Sequence, residues 1–209
     1  MQEPFDRDTE LMLRCQAGDE ACFEKLVERH KQRVFGLVFR FLGGRADAED
    51  IAQEVFVRVY HARRSYTPRA KFTTWLYTIC RNTCFKELRK RKHNTVSLSQ
   101  ETPPSGEVLA DRIAQPHTAS PSAALLQSER VHVVKTAIDA LPEAQRMALL
   151  LRKYDQLSYQ EIAKAMGCSA KAVKSLLYRA KQNLRNSLAP YVEKGESSET
   201  SSAGRDLSE

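Results

Sequence analysis

The chain has 209 residues, 42% of them apolar, which is enough for one medium-sized domain or two small ones with hydrophobic cores. Lys and Arg total 33 against 26 Asp and Glu, and the net charge of +7 favours a polyanionic partner over an acidic metabolite. No apolar run approaches the roughly 20 residues of a membrane span, and the acidic segment 1–10 is unlike a signal peptide. We therefore expect a cytoplasmic protein without stable membrane insertion.

The N-terminal part of the chain has apolar residues at helical spacing. Successive helices with buried stripes are predicted around Leu11, around Leu26 and over residues 34–42, where Gly43 and Gly44 end the third. The five cysteines are an odd number and lie in ordinary helical segments, so reduced thiols fit better than a disulfide framework.

A further helix is predicted to begin at Asp47, which can cap it, and to run to Tyr60. Its inward residues are Ala48, Ile51, Ala52, Val55 and Val59. Its outward polar residues form what we call the acidic ridge: Glu49, Asp50, Gln53 and Glu54. Capping and solubility are the simple interpretation of these acids, since they favour the helix dipole. The alternative is a surface that binds a basic protein groove, and its charge disfavours DNA.

Residues 55–94 carry 11 basic side chains and one acidic one. After Pro68 a helix is predicted whose inner face contains Leu76, Ile79, Cys80, Thr83, Cys84 and Leu88, so the two cysteines are small core residues rather than metal ligands. Basic and aromatic residues interleave elsewhere in the segment: Tyr66, Lys71, Trp75, Tyr77, Arg81, Asn82, Lys86 and Arg89. Single-stranded DNA requires this combination, because cations follow phosphates and rings stack on bases. Plain core packing is the alternative, and it fits Trp75 better than Tyr66.

Proline placement divides the rest of the chain. Four of the eight prolines fall in 95–127, which is predicted to be a flexible linker between helical domains at 1–94 and 128–190. The acidic, Ser-rich segment 191–209 is predicted to be a disordered tail.

A helix-turn-helix is predicted near the C-terminus. Ser158 and Glu161 form a capping box, Gly167 can take the left-handed turn conformation, and Ser169 can cap a second helix. The buried faces are Ile162, Ala163 and Met166, then Val173, Leu177 and Ala180. The second helix offers donors to base edges and phosphates: Ser169, Lys171, Lys174, Ser175, Tyr178 and Arg179. A helical hairpin with a solvated basic face is the alternative.

Three sequence motifs resemble those of a known protein family. They are Asp-Ala-Glu-Asp-Ile-Ala-Gln-Glu-Val-Phe at 47–56, Phe-Thr-Thr-Trp-Leu-Tyr at 72–77, and Leu-Pro-Glu at 141–143 followed by Leu-Ser-Tyr-Gln-Glu-Ile-Ala at 157–163. In order and spacing the chain resembles the extracytoplasmic function (ECF) sigma factors of bacterial RNA polymerase. The resemblance implies an all-α fold of two small helical domains, sigma domain two and the helix-turn-helix sigma domain four, joined by a flexible linker. It implies no enzyme activity, cofactor or metal, because catalysis belongs to the polymerase.

The resemblance also implies the partners. Domain two would dock on the clamp helices of the beta-prime subunit of core RNA polymerase through Asp47, Glu49, Asp50, Gln53 and Glu54, and domain four would meet the beta flap. Tyr66 and the other interleaved basic and aromatic residues, from here on called the minus-ten set, would melt the minus-ten promoter element, with the loop around Tyr66 capturing an unstacked base. The helix from Ser169 would enter the major groove of the minus-thirty-five element, and the six donors from Ser169 to Arg179 named above are from here on called the minus-thirty-five set. The regulon would answer stress or another signal, and an anti-sigma factor is an expected partner. One departure is Ala172 and Leu176, where many relatives carry Thr and Arg.

Two other function classes stay open. One is a stand-alone helix-turn-helix regulator with an N-terminal sensing domain, which leaves the basic aromatic segment unexplained. The other is a metal or redox enzyme using Cys80, Cys84 and His93, which lacks a second ligand pair or a carboxylate cluster.

Overall fold

The computed structural model describes residues 6–97 and 121–202, and all regular structure in those ranges is helical. The N-terminal half contains α1 (Arg7–Gln16), α2 (Glu20–Phe41), α3 (Ala48–Ala62), a short 3-10 turn (Arg63–Ser65) and α4 (Phe72–Ser97). The C-terminal half contains α5 (Pro121–Asp139), α6 (Glu143–Lys153), α7 (Tyr159–Met166) and α8 (Ala170–Ser202). The predicted all-α fold is confirmed.

Helices α1 and α2 begin the N-terminal half. The carboxylate of Asp6 starts α1 by accepting the amides of Asp8 and Thr9 at 3.1 and 2.9 Å. The separate helices expected around Leu26 and over 34–42 are one helix, α2, so that expectation was wrong. The buried stripe continues through His30 between them, and no Gly or Pro interrupts residues 27–35.

Helix α3 buries the five residues that the sequence predicts on its inner face: Ala48, Ile51, Ala52, Val55 and Val59. Its predicted cap is wrong, because Asp47 makes no side-chain cap bond. The φ and ψ angles of Asp47 are −81° and 3°, far from the extended conformation that a capping residue usually adopts. Its carboxylate instead accepts a hydrogen bond from Arg91 of α4. That ion pair ties the start of α3 to α4.

The helix-turn-helix forms as its local signals predict. Ser158 and Glu161 make both bonds of the capping box at the start of α7, and Gly167 has φ +65° at its end. Ser169 then caps α8 by accepting the amide of Ala172 at 3.1 Å. Ala165 is buried where Met166 was expected, and Met166 is half-buried.

Two irregular segments in the sequence prediction are partly helical. Helix α5 begins at Pro121, inside the expected linker 95–127, because proline suits a first helical position and good helix formers follow it. Helix α8 continues through Pro190 to Ser202, so the tail is helical up to that point. Extending an existing helix needs no new nucleus, which explains the difference. The rest of the linker, 98–120, and of the tail, 203–209, lies outside the described residues.

The two halves pack against each other. Buried residues from both halves belong to one hydrophobic cluster, in which Phe41 and Leu76 of the first half and Met147 and Leu151 of the second are at most 1% exposed. Helix α4 packs along α7, and α2 packs against α6. Arg146 of α6 donates to the carbonyl of Phe41 at 2.9 Å across this contact. The helix-turn-helix therefore lies directly against the N-terminal half.

Candidate nucleic-acid and protein interfaces

The acidic ridge lies on the solvent side of α3. All four of its side chains are exposed, while Ile51 and Val55 on the opposite side are buried. Glu54 accepts a hydrogen bond from Arg58 at 2.7 Å, one turn further along the helix. Asp47, which is also expected to contact polymerase, lies at the end of the ridge in its pair with Arg91. The arrangement offers an exposed polar strip on a helix whose other side is fixed in the core.

The minus-thirty-five set lies on the first three turns of α8 and its cap. All six residues are exposed, and Tyr178 retains 64% of its accessible surface. Val173 and Ala180 are fully buried behind them and fix the rotation of the helix. Ala172 and Leu176 are half-buried, and Leu176 packs against the core. Leu176 is therefore held by packing, which explains an apolar residue at this place in a basic helix.

The minus-ten set divides into exposed and covered residues. Lys71, Asn82, Lys86 and Arg89 are exposed along the outer side of α4 and just before it, and Arg81 and Trp75 are half-buried. Arg81 donates to the side-chain oxygen of Asn82, with Nε at 3.1 Å. Of the exposed residues, Asn82, Lys86 and Arg89 can reach a phosphate backbone without rearrangement.

Tyr66 is a core residue in this structure, which corrects the expectation of an exposed ring. It is 4% exposed and packs edge-on against Trp75, with ring centroids 4.8 Å apart, and against Phe72. Burial raises its pKa, and its hydroxyl lies 3.5 Å from Oγ1 of Thr9. Burying aromatic rings against one another is more favourable in free energy than leaving them exposed to water, so the three neighbouring rings form a cluster. Capture of a base by Tyr66 would require the ring to leave it.

Three members of the minus-ten set bind the C-terminal half. Nζ of Lys71 lies 3.0 Å from Oε1 of Glu161, and the hydroxyl of Tyr77 donates to Oδ1 of Asp155 at 2.5 Å. Arg81 donates to the carbonyl of Met166, the last residue of α7.

Burial at this contact raises the pKa of both Tyr77 and Asp155. Tyr77 is 3% exposed, and burial, reinforced by the nearby carboxylate, raises its pKa. Burial also raises the pKa of Asp155, against the opposing effects of the Tyr77 hydrogen bond and of Arg33 and Arg40. Hydrogen bonds from Ser158 lower the pKa of Glu161 to about 2, so this carboxylate is ionised at neutral pH.

Sequence patterns missed two parts of this arrangement. Asp155 lies in the connection between α6 and α7, where no periodicity marks it, and its partner is 78 positions away. The other is a buried pair in which Nε2 of His30 lies 2.9 Å from Oδ2 of Asp8. A polar residue within the apolar stripe of α2 was the available signal for His30, because a buried polar group requires a partner.

Within the described residues, no group of three or more His, Cys, Asp or Glu side chains is arranged to hold a metal ion. Cys80 and Cys84 lie on the inner face of α4 and are both buried in the core, as the helical pattern predicts. No helix in the described part of the chain combines the length and apolarity that a membrane crossing requires.

The fold and its surfaces define a two-domain helical protein with a helix-turn-helix and a second basic surface. The models of Sigma-70 region 2 and Sigma-70 region 4 match residues 26–94 and 132–184, which places it among the sigma factors. The RNA polymerase sigma-H factor of Pseudomonas aeruginosa is 34% identical over 187 residues, covering 90% of this chain and 96% of its own. The ECF RNA polymerase sigma-E factor of Escherichia coli K12 is 34% identical over 192 residues, covering 88% and 96%. The chain belongs to the ECF sigma factors, which are transcription initiation factors and not enzymes.

Solved structures show the same fold. CnrH in complex with the cytosolic domain of CnrY has a TM-score of 0.64 at 24% identity, covering 88% of this chain and 99% of that one. The sigma factor RpoE of Bartonella quintana, in complex with the anti-sigma factor NepR, also has a TM-score of 0.64, at 20% identity and covering 80% and 96%. Both matches extend over most of the chain.

Proposed function

We propose that this chain binds core RNA polymerase, directs it to promoters with minus-thirty-five and minus-ten elements, and promotes opening of the DNA. The observation that carries the proposal is the presence of two exposed basic surfaces, on α4 and α8, in a chain whose α3 exposes an acidic ridge. A stand-alone regulator would need only the surface on α8. A promoter-opening factor must also bind polymerase and single-stranded DNA. The acidic ridge would make the first of these contacts and the second basic surface the other.

Readout of the minus-thirty-five element is assigned to the first turns of α8. Lys171, Lys174 and Arg179 are exposed cations, and Ser175 and Tyr178 add hydroxyl donors beside them. A recognition helix contacts base edges through its N-terminal residues while its neighbours contact phosphates. Leu176 is packed inward, so base discrimination comes from the other exposed side chains.

Opening of the minus-ten element is assigned to α4. Asn82, Lys86 and Arg89 are exposed on successive turns, so they can follow one phosphate backbone. Trp75 is half-buried at the edge of the aromatic cluster, which leaves part of its ring available for stacking on an unpaired base. Tyr66 supports that ring from behind in this arrangement.

Polymerase binding is assigned to Asp47 and the acidic ridge, with the beta-prime clamp helices as the site and the beta flap as the contact of the C-terminal domain. An acidic strip on a rigid helix suits a basic groove because it can align with complementary charge. Both solved relatives are complexes, one with the anti-sigma factor NepR. That supports the proposal that an anti-sigma factor also regulates this chain.

Footprinting of the polymerase complex tests the division of labour. Core polymerase with the wild-type chain should protect both promoter elements and make minus-ten bases reactive to permanganate. Lys174→Ala should reduce minus-thirty-five protection, whereas Arg89→Ala should reduce permanganate reactivity more than duplex protection. Equal effects of the two substitutions on both readouts would contradict the assignment.

A further inference from the structure

A side chain from α1 holds the connection between α3 and α4. Gln16 is the last residue of α1, and its Nε2 lies 3.0 Å from the carbonyl oxygen of Arg64 and 3.3 Å from that of Tyr66. A primary amide has two N–H donors, so this one group can donate to both carbonyls. The contacts join residues 48 and 50 positions apart. They fix the backbone of residues 64–69, which we call the α3–α4 loop.

Other backbone bonds of the α3–α4 loop are local. The amide of Tyr66 donates to the carbonyl of Arg63 at 3.1 Å, and the amide of Arg69 donates to that of Thr67 at 2.8 Å. Local bonds set the shape of a turn but not its position relative to the rest of the domain. That position therefore depends on the two bonds from Gln16 and on the burial of the Tyr66 ring.

The α3–α4 loop exposes polar side chains beside the minus-ten set. The exposed ones are Arg64, Ser65, Thr67 and Arg69. The buried ring of Tyr66 lies between them in the chain and packs on Trp75, the ring that we propose to stack on an unpaired base. Hydroxyl and guanidinium donors can bind the edge of such a base. They distinguish one base from another only when their positions are fixed, and Gln16 supplies that constraint.

Helix α1 is a firm support for this contact. Met12 is fully buried, and Cys15, next to Gln16, is 2% exposed. Oδ2 of Asp8 lies 2.9 Å from Nε2 of His30, which joins the first turn of α1 to α2. The end of α1 cannot move far without uncovering these core residues, so Gln16 holds the loop against a fixed point.

We propose that Gln16 is a positioning residue for recognition of the minus-ten element. By holding the carbonyls of Arg64 and Tyr66, it sets where Arg64 and Thr67 meet an unpaired base and so which base is accepted there. Gln16 acts through the loop and does not itself contact the base. The inference rests on the proposed function, because it concerns base discrimination within the same promoter element.

Two substitutions at Gln16 separate loss of the contact from a change of side chain. Gln16→Glu keeps the size but turns an acceptor towards two carbonyl oxygens, whereas Gln16→Lys keeps N–H donors on a chain of similar length. The matched controls are Gln32→Glu and Gln32→Lys, which make the same changes at an exposed position on α2. Each full-length protein, with core polymerase, transcribes two promoter libraries, one randomised in the minus-ten element and one in the minus-thirty-five element.

We expect Gln16→Glu to reduce the preference for the favoured base at one or two neighbouring minus-ten positions by about tenfold relative to Gln32→Glu. Gln16→Lys should keep that preference within about twofold of its own control, because it still donates to the loop. Preferences in the minus-thirty-five library should not change. A merely structural role would lower transcription from every promoter alike. Unchanged base preference in Gln16→Glu, or an equal loss of preference in Gln16→Lys, would therefore overturn the proposal.

Hydrogen exchange in the free protein separates this inference from the function on which it rests. The amides of Tyr66 and Arg69 should exchange about tenfold faster in Gln16→Glu than in Gln32→Glu, because the loop opens more often. If wild type initiates from no promoter but exchange changes as expected, the proposed function fails and the hold of Gln16 on the loop stands. If initiation occurs while exchange and base preference are both unchanged, the positioning role fails and the function stands.

Discussion

Lys71 and Glu161 are 90 positions apart in the sequence, and Nζ of the first lies 3.0 Å from Oε1 of the second. The other oxygen of Glu161 accepts the backbone amide and hydroxyl of Ser158 at 2.9 and 2.8 Å. One carboxylate therefore completes the cap of α7 and binds the neighbouring domain. The integrity of the helix-turn-helix and the contact between domains share this residue.

Ser158→Ala should lower the free energy of unfolding by about 1 kcal/mol, because it removes one half of the capping box. Its control is Ser187→Ala, an exposed position on α8 where the change should stay within about 0.5 kcal/mol. Urea denaturation measures both. Since the pKa of Glu161 is lowered to about 2, its contribution is complete above about pH 4.5 and is lost as the pH falls towards 2. Equal losses for the two serine variants would mean that the cap contributes nothing.

Stability should fall as the solution is acidified below about pH 6.5, because of His30. Burial lowers the pKa of this side chain from 6.5, against the opposing effect of Asp8. The unfolded chain therefore takes up the proton more readily than the folded one, and acid favours unfolding. Urea denaturation at pH 7.5 and 5.5 should show a smaller difference for His30→Gln than for wild type. An unchanged difference would remove His30 as the cause.

Tyr66→Ala should destabilise the N-terminal half by about 3 kcal/mol, since it empties part of the aromatic cluster. Tyr66→Phe keeps the ring and should cost less than about 1 kcal/mol, because the hydroxyl makes a long contact of 3.5 Å with Oγ1 of Thr9. Thermal unfolding compares the two. A stable Tyr66→Ala protein with impaired promoter opening would instead favour the exposed, base-capturing role.

One thiol in five should react rapidly with Ellman's reagent. Cys168 is exposed, whereas the other four cysteines are buried. Burial also raises the pKa of Cys15 and Cys22, which lowers the fraction of reactive thiolate. Cys168→Ser should abolish the rapid phase, and denaturant should expose the remaining four. Several rapid thiols in the native Cys168→Ser protein would contradict the burial described here.

The sequence correctly predicted those features of the fold that depend on residues close together in the chain. The capping box, the left-handed Gly167 and the inner face of α3 follow from spacings of a few positions, and the structure has all of them. Asp47 failed as a cap because Arg91, 44 positions away, binds its carboxylate. The contact of Asp155 with Tyr77 has no local signature either, since its energy comes from two domains meeting. Exposure of a candidate DNA-binding residue was therefore the property of these surfaces that the sequence predicted least well.

Binding to core RNA polymerase tests the central claim most directly. Asp50 is exposed on the acidic ridge, and Glu24 is an exposed acid on α2 that lies outside it. Wild type and Glu24→Arg should co-purify with core polymerase equally, while Asp50→Arg should bind at least about tenfold more weakly with an unchanged melting temperature. Failure of the wild-type chain to bind core polymerase, or equal binding of Asp50→Arg, would contradict the account.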